Sequence, residues 1–139
     1  MTCTSQQAER ECLDLFTPLT FVNADKRYEG NEQNEPPSNK AFLNWTMQHT
    51  DGLQGSLADY NGKRRWRREG LIIVQCFALL SDGSKSQAQR MAESVRDAYQ
   101  GKATPGGVWF RNATANAVGR DGLHYQANAI IQFTYDEVR

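Results

Sequence analysis

The hydrophobic pattern of the chain is clearest in its middle third. Residues 71–80 form the most apolar run, and the β-branched side chains of its first half favour a strand over a helix. After a short turn, a helix is expected to begin at Ser84, with Gln87 completing a capping box, and to end at Gly101. Its apolar positions recur at helical spacing, namely Ala88, Met91, Ala92, Val95, Ala98 and Tyr99. This helix can cover one face of the apolar strand.

Other regular patterns predict one further helix and three further strands. Residues 4–17 have one narrow apolar face, which is typical of a helix that packs on a sheet. Residues 41–50 alternate as a strand does and are expected to pair antiparallel with the strand that begins at Trp66. Residues 108–118 and 123–135 are predicted to form a hairpin through a Gly-Arg-Asp-Gly turn.

The last of these strands alternates most regularly. Its outer face is polar and rich in amides but has few charges, and Ile130 is an apolar exception there. Since one side of an antiparallel sheet commonly faces water, solvent is favoured over a partner subunit as the neighbour of this face. The inner face is predicted to contain Leu123, Tyr125, Ala127, Ala129, Ile131, Phe133 and Tyr135.

Residues 23–38 are polar, have almost nothing to bury and follow neither a helical nor a strand period. They are interpreted as a long loop or extended arm, a kind of segment that is uncommon inside compact domains unless it is functional or disordered. Residues 53–62 are ambiguous between a loop and a weak strand.

Together these elements predict a single α+β domain over residues 1–139, in the order α-β-β-α-β-β. The sheet is expected to be four-stranded and mainly antiparallel, built from two hairpins, with two helices packed on it and the polar arm in addition. A chain of 139 residues suits one domain.

Composition and charge narrow the functional classes. The formal net charge is zero, so the molecule as a whole has no electrostatic attraction for nucleic acid or acidic membranes. The mean hydropathy of -0.70 indicates long polar loops or a shape that buries surface on assembly. Neither a signal peptide nor a membrane span is expected. The three widely spaced cysteines are typical of thiols in a reducing cytoplasm.

The sequence does not contain a recognisable catalytic set. His49 and His124 lie in different predicted strands without metal-ligand spacing, and no nucleophile elbow, phosphate loop or zinc motif is present. We therefore expect a protein that is not an enzyme, with no catalytic residues, no metal and no cofactor.

A basic run at residues 63–68, with five cations around one tryptophan, is the charge cluster that supports a binding hypothesis. Cations around one tryptophan could contact phosphates and stack on a base. They could equally be solvated and protect a strand edge, or pair with the acidic residues of the arm on the same or a neighbouring chain. The neutral total favours the last two interpretations. The residues concerned are Arg64, Arg65, Trp66, Arg67 and Arg68 in the run, and Glu29, Glu32 and Glu35 in the arm.

The order of elements resembles the tail terminator, or tail completion, proteins of long-tailed bacteriophages. The resemblance runs through the opening helix, the segment Phe21-Val22-Asn23 before the arm, the strand at residues 69–75, the helix that contains Met91 and Val95, and the closing strand at residues 125–136. It covers most of the chain and rests on element order and apolar pattern.

The resemblance implies a late structural protein of the virion tail, assembled in the cytoplasm of a bacterial host. Such proteins form a ring, usually a homo-hexamer, that caps the tail tube, ends its polymerisation and offers a face to the head. The implied partners are further copies of the chain, the tail tube protein and the head-tail connector protein, and DNA would pass through the lumen. The arm would grip the next subunit, so the candidate interface adds Asn23, Asp25, Arg27 and Tyr28 to the basic and acidic residues above.

Two alternatives remain open. The first is a head-tail connector or neck protein of the same structural class, which the sequence hardly separates from a terminator. The second is a small nucleic-acid-binding module led by Trp66 and its arginines, whose binding would weaken steeply with salt.

Overall fold

The computed structural model describes residues 4–21, 24–28, 40–54, 65–81 and 83–138, and all structural statements refer to these residues. They form two helices and five strands: α1 (Ser5–Asp14), β1 (Ala24–Tyr28), β2 (Ala41–Gln54), β3 (Arg65–Leu79), α2 (Ser84–Tyr99), β4 (Trp109–Asp121) and β5 (His124–Val138). The predicted α+β class with two helices is confirmed.

The strands form one mixed sheet in the order β1-β2-β3-β5-β4. The pairs β2–β3 and β4–β5 are antiparallel, as predicted. The pair β3–β5, which joins the two hairpins, is antiparallel too, whereas β1 lies parallel to β2. The predicted four-stranded sheet is therefore wrong by one strand. The pattern failed at β1 because its five residues are all half-buried, so no alternation marks the strand.

The predicted arm is corrected over the same residues. Ala24–Tyr28 pairs with residues 41–45 of its own chain instead of extending away from it. The Lys26 ammonium donates to the carbonyl oxygens of Thr17 and Leu19, at 2.5 and 2.6 Å, and so ties β1 to the segment after α1. Residues 23 and 29–38 of the arm, and 55–62 of the ambiguous stretch, lie outside the described residues.

Both helices pack on one face of the sheet, which we call the helix face. The indole nitrogen of Trp45 donates to the Tyr99 hydroxyl at 3.0 Å, and that hydroxyl donates to the carbonyl oxygen of Cys12 at 2.7 Å. This relay joins β2, α2 and α1 in the core. The largest side chains buried there include Trp45, Tyr99, Tyr135, Phe16, Phe133, Leu43, Ile72 and Ile131.

The helices differ in detail from their predictions. Thr4 caps α1 by accepting a hydrogen bond from the Gln7 backbone at 3.1 Å. The last residue of α1 is Asp14, and turns follow it. The N-cap of α2 is Gly83, so the predicted capping box of Ser84 and Gln87 is wrong. The predicted apolar stripe of α2 is buried apart from Ala98, which is half-buried.

The helix face requires a glycine in β3. A Cβ added to Gly70 would collide with the Gln48 carbonyl oxygen and would lie 2.5 Å from the Phe133 ring. The Phe133 ring of β5 therefore occupies the space that a side chain at Gly70 would need, and it packs directly on the glycine backbone.

Candidate functional site

The residues predicted as an interface lie at two ends of the sheet. β1 pairs with the first residues of β2, whereas Trp66, Arg67 and Arg68 pair with the last residues of β2. The described part of the arm and the basic run are thus not brought together within one chain. Asn23, Glu29, Glu32, Glu35 and Arg64 lie outside the described residues, and Arg65 is placed by its backbone in β3.

The β1 residues are engaged with their own domain. Asp25 forms an ion pair of 2.7 Å with Lys40, which directly precedes β2. Tyr28 packs against the hydrophobic core, and Arg27 is half-buried. These contacts hold the edge strand in place and leave less of it for a neighbouring subunit than an extended arm would offer.

The basic run faces acidic residues of β5, which sequence reasoning missed. Arg67 lies 3.8 Å from Asp136, and Arg68 lies 3.5 Å from Glu137, since β3 and β5 pair antiparallel at this point. Adjacent carboxylates near the end of the last predicted strand were the available signal, but their use needed the register of the two strands. Two of the run's cations are therefore paired locally.

Glu137 is the centre of a polar cluster on the helix face. Its carboxylate is 11% exposed and accepts from the Ser5 backbone at 3.2 Å as well as from Arg68. His49 Nε2 lies 2.7 Å from the Tyr135 hydroxyl. Burial, with the nearby Arg68 charge, lowers the pKa of His49, so the ring is neutral at pH 7. The cluster fastens the start of α1 to the sheet.

Two buried groups of the core, the Cys76 thiol and the Tyr99 phenol, are held in their protonated forms. Burial raises the pKa of the Cys76 thiol to about 12, and burial also raises the pKa of Tyr99 above its ordinary value. The described residues contain no group of three His, Cys, Asp or Glu side chains that could hold a metal ion. Within the same residues, no helix combines the length and apolarity of a membrane span.

The face opposite the helices has a different chemistry. Three cross-strand rows run over β2, β3, β5 and β4 without a single charged residue. We call these rows the amide face, because its central row consists of amides alone. The rows are Phe42-Phe77-Gln126-Gly119, Asn44-Gln75-Asn128-Asn116 and Thr46-Ile73-Ile130-Thr114.

The amide face is ordered by short-range contacts. Phe42 stacks on Phe77 with ring centroids 4.5 Å apart, and the Gln126 amide donates to Asn128 at 2.9 Å. Asn44, Gln75 and Asn128 are half-buried. The outer face of β5, for which solvent was the favoured neighbour, thus continues across four strands as one neutral surface.

A pocket of about 290 Å³ lies beyond one end of the amide face. Arg111 forms a long ion pair of 3.7 Å with Glu69 across the strand between them, and its guanidinium lies 5.3 Å from the centroid of the exposed Trp109 ring. We call this region the sheet-end pocket, and its lining includes Thr50, Glu69, Leu71, Arg111 and Gln132.

The opposite end of the β4–β5 hairpin exposes apolar side chains. Val118 is 57% exposed and Leu123 is 61% exposed, and Arg120 between them is exposed as well. We call these three residues the hairpin tip. Leu123 was predicted on the inner face of β5, but it belongs to the turn before the strand, where alternation no longer applies.

Comparisons with known proteins support the fold. Twelve chains of solved structure match this chain. One of them aligns with a TM-score of 0.65 and 15% sequence identity over 96% of this chain and 96% of its own length. Its name describes no function, so the likeness shows the fold alone. No protein-family model matches the chain, and no curated protein matches it.

Proposed function

We propose that this chain is a structural subunit of a bacteriophage tail. Copies of it form a ring that caps the tail tube, ends its polymerisation and offers a face for joining the head. The observation that carries the proposal is the amide face, a neutral surface that spans four strands and bears neither α1 nor α2.

The chemistry of this face suits contact with another protein. The buried centre of a protein interface is depleted in charged residues, because buried charges lose hydration that they seldom regain in full. Amides both donate and accept hydrogen bonds, so they can be satisfied by an opposing protein surface. A face that met water alone would tolerate charge at many of these positions.

The edge strand β4 is poorly suited to pairing with a strand of another chain, which favours contact through the amide face. β4 pairs on one side with β5, and its register shifts between Arg111 and Thr114 and again between Ala117 and Gly119. Asn112, inside the first bulge, has a φ of 51°. Bulges of this kind twist an edge and hinder its pairing with another strand.

A ring requires a heterologous contact whose rotation closes. Capping a tube end of matching symmetry then needs no covalent chemistry, because several weak contacts act together. The implied partners are the tail tube protein on one side and the head-tail connector on the other.

A charged substitution on the amide face tests the subunit contact. Gln75→Lys, at the centre of the face, should leave the fold intact and weaken self-association by about tenfold or more, since it places an unpaired cation in the contact. The matched control is Gln6→Lys on the exposed side of α1. Light scattering over a concentration series reports assembly, and circular dichroism reports the fold.

Electron microscopy of particles that lack the protein tests the role in the tail. Overlong tails are expected of a terminator. Normal tails with leaking heads would instead indicate the second candidate, a connector or neck protein, which the same amide face would equally serve. Normal particles would contradict both. The nucleic-acid alternative is disfavoured, because Asp136 and Glu137 lie beside the arginines that it needs.

A further inference from the structure

The β4–β5 hairpin has two unlike surfaces at its two ends. One end is the sheet-end pocket, which is concave and polar at its rim, and the other is the exposed hairpin tip. Arg111 in the pocket and Arg120 at the tip are nine residues apart along β4, a span of roughly 30 Å in an extended strand. A single chain therefore cannot bring its own tip to its own pocket.

We propose that the hairpin tip of one copy seats in the sheet-end pocket of the next copy. This inference rests on the proposed function and deepens it by naming two surfaces, one at each end of the amide face, that complete the contact between subunits. Because the two surfaces differ, each copy uses its tip towards one neighbour and its pocket towards the other. Such a head-to-tail contact is heterologous, the class of contact that generates rings when the rotation closes.

The apolar part of the contact is supplied by both partners. Leu123 and Val118 are the two most exposed of the large hydrophobic side chains in the described residues. Leu71 lines the pocket and is half-buried. Seating the tip would remove this apolar surface from water, which is the main favourable term in protein association.

The charges of the two surfaces are also complementary. Arg120 is exposed at the tip, and Glu69 is 38% exposed at the pocket. The ion pair between Glu69 and Arg111 is long at 3.7 Å, so the carboxylate can accept a second guanidinium in closer geometry.

One buried polar atom lies beside the same site. Among the described residues, the Thr134 hydroxyl is the buried side-chain oxygen that lacks a hydrogen-bond partner. Thr134 stands in a cross-strand row between Glu69 and Trp109. Unsatisfied buried groups are uncommon in folded proteins, and this one lies next to Glu69 of the pocket.

Two single variants test the contact in combination. Leu123→Asp removes the apolar tip and leaves the pocket intact, whereas Glu69→Arg repels Arg120 and leaves the tip intact. Each variant alone should self-associate at least about tenfold more weakly than the original chain. An equal mixture should form a heterodimer, since the intact tip of one variant meets the intact pocket of the other. Sedimentation velocity measures both, and circular dichroism verifies each fold.

A charge swap provides a second readout. Arg120→Glu together with Glu69→Arg in one chain should restore the association that Glu69→Arg alone loses. A mixture that stays monomeric at every concentration reached, while both variants are folded, would overturn the contact. So would variants that assemble as the original chain does.

Failure of this contact is distinguishable from failure of the proposed function. If the mixture stays monomeric but particles without the protein have overlong tails, the tail role stands and the tip-to-pocket contact is wrong. If the heterodimer forms but tails and heads are normal without the protein, the contact stands and the tail role is wrong.

Discussion

The helix face and the amide face are built from alternate residues of the same strands, yet they are filled in different ways. Trp45 and Ile72 point to the helix face and are buried, whereas their neighbours Asn44 and Ile73 point to the other face and are half-buried. The helix face is closed by α1 and α2 of its own chain. The amide face has uncharged hydrogen-bonding groups, and neither α1 nor α2 covers them.

Under the proposed function, this difference separates the residues that stabilise the fold from those that contact a neighbouring copy. Changes on the helix face should act on folding, because they remove buried contacts or break the relay between β2, α2 and α1. Changes at the half-buried polar positions of the amide face should have little effect on the free energy of unfolding, and under the proposed function they should weaken self-association. The predictions below test that separation, in order of decreasing effect.

Trp45→Ala should have the largest effect on stability. The substitution removes a side chain that is 1% exposed and leaves the Tyr99 hydroxyl without its donor. Such truncations cost about 3–5 kcal/mol, which is a large fraction of the roughly 5–15 kcal/mol that stabilises a typical domain. Urea denaturation followed by tryptophan fluorescence and circular dichroism measures the loss.

The control for this prediction is the next residue along β2. Thr46→Ala alters a half-buried hydroxyl on the amide face, 3.2 Å from the Ile73 carbonyl oxygen, and should cost less than about 1.5 kcal/mol. Equal costs for the two variants would contradict the division between the faces.

Gly70→Ala and Leu71→Ala give a second comparison between neighbours. The added methyl of Gly70→Ala would meet the Gln48 backbone and the Phe133 ring, and overpacking of this kind costs about 1–3 kcal/mol or more. Leu71→Ala removes a half-buried side chain of the other face and should cost less. Thermal unfolding of both variants measures the difference, and a larger cost for Leu71→Ala would show that the sheet face opposite the helices is itself closed within the folded chain.

How much of the fold was predictable from the sequence depends on whether a strand is marked by alternating buried and exposed residues. Strict alternation placed Ala127, Ile131 and Phe133 on the buried side of β5, because burial of one face imposes a period of two. The same rule failed at β1, where every residue is half-buried and the strand is defined by pairing with β2.

The candidate site was harder to predict than the fold. The amides of β5 were visible in the sequence, but the row that joins Asn44, Gln75, Asn128 and Asn116 depends on register across three strand pairs. The same applies to Arg67 with Asp136, which are far apart in the chain and opposite each other in the sheet. The pattern along a sequence does not show which residues of two strands lie opposite each other, so these neighbours can be identified only from the folded structure.

Glu11→Gln should have the smallest effect and should depend on pH. Burial alone would raise the pKa of Glu11, but hydrogen bonds from Thr104, the Gly106 backbone and Gln7 lower it below the ordinary value of 4.5. A depressed pKa means that the folded state holds the carboxylate in its charged form. The stabilisation is therefore present above pH 4.5 and is lost as the pH falls through the folded pKa.

The carboxylate ties α1 to the loop before β4, because its Oε1 accepts from the Gly106 backbone at 2.6 Å. Glu11→Gln should lower the free energy of unfolding by less than about 1 kcal/mol near pH 7, since the group is only partly buried. The difference should shrink as the pH falls below 4.5. Glu93→Gln on the exposed side of α2 is the matched control, and its free energy of unfolding near pH 7 should equal that of the original chain. A pH-independent loss in Glu11→Gln would mean that the side chain supports the helix layer by packing, and that its charge contributes nothing to closing the helix face.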